Sequence, residues 1–306
     1  MKGLELARGY FYDECLPRLR KELPAALPHL AAGLVGEGSD AFGYDDFISR
    51  DHDWGPAFCL WLPRRYMDEY AQGIGEILAS LPATYKGLKA RELNSSPRVG
   101  LMSVEKFYSS LIGCPRCPQS AEEWLSASQS GLAAAVNGEV FLDNSGEFTA
   151  IREALLSFYP EDVRRYILAK RCALAAQTGQ YNYLRCLRHG EKATAEMIKG
   201  RFAENAMAAM FLLNGRYMPF YKWSHRALAE LSDGGEEGAK YIESIMYKQG
   251  AEAIADIEAM SGLIIALLKK QSLSNSGSDF LMDHCGELIR GISDPNLRSR
   301  GLTLDF

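Results

Sequence analysis

Asp51-His52-Asp53 sets two carboxylates two residues apart, and Gly36-Glu37-Gly38-Ser39 sets two glycines and a hydroxyl a short way upstream. In extended backbone the side chains of residues i and i+2 share a face, so Asp51 and Asp53 point the same way and His52 points the other. Two adjacent carboxylates repel one another unless a cation lies between them, and hard oxygen ligands suit Mg²⁺ or Mn²⁺. The glycines permit positive φ and a close approach of backbone to ligand, while turn N–H groups and the Ser39 hydroxyl can cradle phosphates. A divalent cation bridging the acid pair and a bound triphosphate is the chemistry these residue types support together.

The turn alone is a weak signal. A dinucleotide-binding fingerprint wants a third glycine opening a helix, where this chain has Ala41, and a Walker loop needs a Gly-Lys-Ser/Thr that is absent. Asp40, Asp45 and Asp46 crowd the same stretch; the latter two are read as solvated loop acids or helix caps. Seven scattered cysteines include one Cys114-Pro-Arg-Cys117 with no second such pair, which suits reduced thiols and a cytoplasmic setting better than disulfides or structural zinc.

Several elements must position these groups. Residues 5–22 carry apolar positions at helical spacing, closed by Pro24 and Pro28. Apolar runs at 30–35 and 57–62 read as buried strands on either side of the acidic stretch, with a helix at 64–80 beyond Pro63. Further strands are expected at 98–104 and 139–142. From Ile151 onward the pattern turns helical, at 161–178, 191–213, 236–270 and 280–291, with 272–279 as a flexible loop. The expected class is α+β: a mixed sheet with flanking helices over residues 1–150, then an all-α helical bundle over 151–306.

The strand, Gly38-Ser39, and Asp51-x-Asp53 after eleven intervening residues resemble the hallmark of the nucleotidyltransferase superfamily that includes DNA polymerase beta and the aminoglycoside nucleotidyltransferases. The stretches GLVGEGSDAFGYDD, SRDHDWGP, GEFTAIREALLSFYPEDV and LLNGRYMPFYKW are similar to an uncharacterised bacterial group within it, DUF4037-like proteins of unknown function. The resemblance implies the nucleotidyltransferase fold. It also implies transfer of a nucleoside monophosphate from an NTP to an acceptor hydroxyl, releasing pyrophosphate. Gly38 and Ser39 would then hold phosphate, with Arg50 near it, and Asp51 and Asp53 would bind Mg²⁺ or Mn²⁺. A third carboxylate from a later strand would complete the metal site and take the acceptor's proton; Asp143 is the first choice and Glu105 the second. The plainer reading of Asp143 is a turn residue in Asp-Asn-Ser-Gly. Many members carry an arginine where this chain has Phe42, and the acid pair falls one residue later than the commonest spacing.

In the helical half, Ile198, Phe202, Asn205, Ala209 and Leu212 recur at helical intervals, which places Asn205 on an apolar stripe as a hydrogen-bonded core residue or part of a pocket wall. By the same resemblance Tyr217, Lys222 and Trp223 are candidates to line an acceptor or base pocket, with Lys222 meeting phosphate; core packing is the plainer reading of Trp223. A net charge of −5 argues against a general nucleic-acid surface and favours a small-molecule or protein acceptor. The first residues carry scattered charges and no apolar leader core, and no run of about 18 apolar residues occurs, so neither a signal peptide nor membrane insertion is expected. The alternative is a non-catalytic nucleotide-binding or regulatory protein, including an antitoxin-like partner, that retains the fold.

Overall fold

The computed structural model describes residues 1–51, 54–93 and 98–302. The chain divides into two compact units, Met1–Ser157 and Phe158–Phe306.

The first unit is α+β. Its opening helix runs through α1 (Gly3–Tyr10), a π-helical stretch (Phe11–Cys15) and α2 (Leu16–Glu22), with Pro17, which has no N–H to give, just after the stretch where the helix leaves the α pattern. β1 (Ala31–Leu34) and β2 (Cys59–Leu62) are buried along their whole length, which is why both appear in sequence as unbroken apolar runs. After α3 (Met67–Ala79) comes a short hairpin of β3 (Thr84–Tyr85) and β4 (Leu88–Lys89), too short to leave a periodic signal. β5 (Gly100–Ser103), α4 (Val104–Ile112), α5 (Ala121–Ser126), α6 (Gln129–Val136), β6 (Glu139–Asp143) and α7 (Glu147–Leu156) complete the unit.

The four-stranded sheet has the order β5-β2-β1-β6. β1 is antiparallel to both neighbours and β5 runs parallel to β2. Trp61 of β2 is fully buried; its ring stacks on Phe148 of α7 at 3.9 Å and meets Phe107 of α4 edge-on at 5.3 Å, which fixes those two helices against the sheet. Tyr10 and Phe11 contribute a second aromatic cluster around Phe58.

The second unit is helical. α8 (Glu161–Ala175) continues through a π-helical stretch (Ala176–Tyr183) into α9 (Leu184–Arg188). α10 (Lys192–Leu213) is buried without a break from Asn205 to Leu213 and is the unit's central element, packed against α8, α12 and α13. The segment expected as one helix over 236–270 is two, α12 (Gly235–Tyr247) and α13 (Gly250–Lys270), separated at Lys248 and Gln249 before Gly250 turns the chain with φ +59°. α11 (Tyr221–Ala229) was not expected; Pro219 and the dense aromatic and cationic residues around it hide its start. α14 (Met282–Arg290) and α15 (Pro295–Ser299) end the chain's regular structure. The segment read as a flexible loop, 272–279, is packed: Ser274 is buried and its hydroxyl lies 2.8 Å from Nδ1 of the fully buried His284, whose Nε2 meets the Ser278 carbonyl at 2.9 Å.

No helix among the described residues is long and apolar enough to cross a membrane.

Candidate functional site

Sheet register brings the Gly-Ser turn and the acidic stretch to one place. β1 and β2 are antiparallel with Gly33 opposite Cys59, so the connection between them leaves and re-enters the same end of the sheet. Gly36 and Gly38 adopt φ values of +125° and +135°, a region that side chains with a Cβ rarely occupy. The first of these is gripped by Asn137 just before β6, whose side chain accepts from the Gly36 N–H at 2.8 Å and donates to its carbonyl at 2.6 Å. Asn137 is held in turn by Arg152 of α7, which donates to the carbonyls of Asn137 at 2.7 Å and Gly138 at 3.3 Å. Burial lowers the Arg152 pKa, and those carbonyls take the place of a counter-ion.

What this clamp leaves open is the interior of the turn. Among the described residues the N–H groups of Glu37, Gly38 and Ser39 have no acceptor, and the Ser39 hydroxyl has no hydrogen-bond partner. The Ser39 carbonyl, by contrast, accepts from Tyr44 at 2.8 Å and Asp45 at 3.1 Å, which closes the loop behind it. Successive unbonded N–H groups in a glycine turn form an anion-binding concavity.

Three of the five aspartates serve the loop itself. Asp40 is buried, accepts from the Ala41 N–H at 2.9 Å and lies 3.5 Å from Arg91. Asp46 caps the turn that follows it, accepting from the Ser49 N–H at 2.9 Å. Of the two sequence readings of Asp45, solvated acid or helix cap, the structure overturns the first: it is only 3% exposed, and its carboxylate accepts from the Gly3 N–H at the start of α1 at 2.8 Å and the Trp54 indole at 3.2 Å. With Lys2 donating to its carbonyl at 2.5 Å, Asp45 ties the loop to the start of α1. The reason is long-range packing: the donor at the helix N-terminus sits 42 residues away.

Asp53 lies outside the described residues, as does His52, and the side chains of Arg50 and Asp51 are likewise not described. Among the described residues no group of three or more His, Cys, Asp or Glu is placed to hold a metal ion.

Neither candidate for a third carboxylate is brought to the turn. Asp143 pairs with Ala31, at the far end of β1, whereas Glu139 pairs with Leu34 beside the turn. Five residues of extended chain from Ala31 to Gly36 span about 16 Å at ~3.3 Å per residue. Asp143 instead accepts from the N–H groups of Gly146 and Thr149, each at 2.8 Å, and caps α7. Glu105 also stands at the far end, because Ser103 pairs with Leu62; both its oxygens accept from the Arg64 N–H, at 3.1 and 2.9 Å. The acids at the turn's own end are Glu37, facing Arg98 at 3.6 Å, and Glu139, ion-paired to Arg8.

In the helical unit, Asn205 is buried and fully committed: Oδ1 accepts from Arg171 at 2.9 Å and Nδ2 donates to the Arg201 carbonyl at 2.8 Å. Tyr217 is buried, its ring 5.1 Å from Tyr159 and 4.8 Å from Phe158. Lys222 is exposed, its ammonium 5.1 Å over the ring of the half-buried Trp223. Arg171 escaped the sequence reading; its one signal was the cationic pair Lys170-Arg171 inside the otherwise apolar run Ile167-Leu168-Ala169 to Cys172-Ala173-Leu174.

The fold and site thus define an α+β protein with an open glycine turn at the end of its sheet. A family described as a domain of unknown function, DUF4037, matches residues 124–224. That match takes in β6, α7 and the helical unit as far as the first residues of α11, and leaves the Gly-Ser turn and the acid pair outside it. No curated protein and no solved structure matches the chain.

Proposed function

We propose that the first unit is a metal-dependent nucleotidyltransferase of the nucleotidyltransferase fold, moving a nucleoside monophosphate from an NTP to an acceptor hydroxyl. The observation that carries the reading is the run of three unbonded N–H groups at Glu37, Gly38 and Ser39, on the connection that also holds Asp51 and Asp53. That cradle fits an anion, and two aspartates two residues apart on the same connection offer hard oxygen donors of the kind that suit Mg²⁺ or Mn²⁺. Asp51 stands at the end of a 3-10 turn, Ile48–Asp51, rather than in extended chain. Asp51 and Asp53 would hold the cation, which when bound neutralises phosphate charge and orients the reacting groups. The turn amides and the Ser39 hydroxyl bind phosphate oxygens. The acceptor oxygen forms a bond to the α-phosphorus as the bond to pyrophosphate breaks, and the acceptor's proton passes to a base. The register argues against Asp143 as that base. Positioning and charge stabilisation supply most of such a rate, so little covalent chemistry is asked of the protein. With a net charge of −5, a small-molecule or protein acceptor fits better than a nucleic acid.

A second reading rests on Phe42. Its ring lies parallel to Tyr44, 6.2 Å away, at the position where many active members of the superfamily that the sequence resembles carry an arginine. A chain that binds nucleotide without turning it over would keep the cradle and lack that cation.

Thermal unfolding in the presence of Mg²⁺ and each NTP tests the site. Stabilisation that requires both, and that is lost in Asp51→Asn and in Asp53→Asn, is expected. A wild-type protein that responds to no NTP with metal overturns the proposal. Pyrophosphate release on adding cell extract then separates transfer from binding alone.

A further inference from the structure

Most of the buried or half-buried arginines of this chain are saturated by their neighbours. Arg152 spends its donors on two carbonyls, Arg164 on Glu161, Gln271 and the Leu212 carbonyl, and Arg91 faces Asp40. Arg171 of α8, like the half-buried Arg18 on Ser80, has a single neutral partner instead. Its Nη1 donates to Asn205 Oδ1 at 2.9 Å, and among the described residues that neutral amide is its one hydrogen-bond partner. Among the described residues no carboxylate lies within ion-pair distance of it; the exposed Glu204 reaches it only through its field. Burial lowers the Arg171 pKa, yet a guanidinium stays charged in a protein, so the helical unit keeps a half-buried cation that no carboxylate pairs with among the described residues.

The geometry of the remaining donors is informative. With Nη1 turned to Asn205, the Nε–Nη2 edge of the fork is left unbonded, and neither nitrogen is sealed from solvent, in contrast to Nε of Arg165. That edge is the one that accepts two oxygens of a carboxylate or phosphate side by side. Asn205 cannot swing away to serve another group, because its amide nitrogen is tied to the Arg201 carbonyl at 2.8 Å. Tyr159, whose hydroxyl feels the Arg171 charge, packs edge-on against Tyr217 at 5.1 Å.

We propose that Arg171, fixed by Asn205, is an oxyanion subsite of the helical unit that takes a small molecule bearing a phosphate or a carboxylate. The subsite does not depend on nucleotidyl transfer at the Gly-Ser turn.

The test uses the full-length protein labelled with ¹⁵N-arginine and titrated at low ionic strength with inorganic phosphate and, separately, with acetate. The Arg171 Nε–H signal, assigned by its absence from Arg171→Lys, should move saturably with at least one of them, and which one moves it tells phosphate from carboxylate. Calorimetry should show binding weakened by about tenfold or more in Arg171→Lys, which keeps the charge and loses the two-pronged edge. Glu204→Gln, a surface change that leaves the fold alone, should tighten it. Ser39→Ala should leave the Arg171 signal's response intact, which separates this site from the turn. The proposal is overturned if neither anion moves the signal, if chloride at matched ionic strength moves it equally, or if a folded Arg171→Lys binds as well as the wild type.

Discussion

Asp40 shows how an acid from a charge-crowded stretch takes a buried, structural place in the fold. Its side chain is 9% exposed and its pKa is raised, because burial outweighs the opposing effects of Arg91 at 3.5 Å and the Ala41 N–H. A carboxyl whose folded pKa lies above its unfolded one holds its proton more tightly in the folded chain. Between those two values the folded state carries more protons, so unfolding free energy falls as pH rises and levels off above the raised value. Asp40→Asn keeps the shape and removes the titration. Urea unfolding of both proteins from about pH 4 to about pH 7 should therefore show the wild type losing ground to Asp40→Asn as pH rises from the ordinary aspartate range. A difference that grows in favour of the wild type instead would mean that the Arg91 pair outweighs burial. Asp45 teaches the same lesson without titration, since its donors at Gly3 and Trp54 make it a tie between loop and helix.

At the scale of elements, the decisive fact about Asp143 is where β6 sets it. Its carboxylate accepts two N–H bonds at 2.8 Å from the start of α7, the helix that carries Phe148 onto Trp61. Asp143→Ala should cost about 1–2 kcal/mol in urea unfolding, as losses of side-chain caps do, with Asp143→Asn in between because one acceptor oxygen survives. The Mg²⁺-dependent response to NTP should persist in Asp143→Asn; a folded variant that loses it would make Asp143 a ligand and the register argument wrong. The strands that frame the site were legible because Ala31–Leu34 and Cys59–Leu62 are buried on both faces and read as apolar runs. Which end of the sheet each acid occupies was not legible, because pairing partners such as Ala31 and Asp143 are far apart in sequence. The hairpin at 84–89 and the break before Gly250 stayed hidden for a local reason: two residues of strand, or two of turn, carry no period. Arg171 was missed because a cation inside an apolar run looks solvated until its neighbours are known.

At the scale of the molecule, each unit encloses its own core. In the helical unit α8, α10, α12, α13 and α14 pack on one another, and Phe202, Phe211, Leu212, Ile257, Met260, Ile264, Leu268 and Leu288 are buried between them. The unit's span, Phe158–Phe306, falls at the size at which a single core sustains a domain, commonly about 100–150 residues. Its long-range polar ties are also internal: Arg164 and Gln271 hold the end of α10, and Lys199, 1% exposed, donates to the Lys248 carbonyl at 2.8 Å between α12 and α13. Residues 158–306 expressed alone should give a helical circular dichroism spectrum and one cooperative urea transition. If the first unit supplies an essential part of that core, the fragment will instead bind a hydrophobic dye and melt without cooperativity, keeping helix while losing fixed packing. A folded fragment would also show where binding resides. Nucleotide and Mg²⁺ responses should be absent from it, because the Gly-Ser turn and the acid pair belong to the first unit, while the Arg171 signal should still answer to an oxyanion.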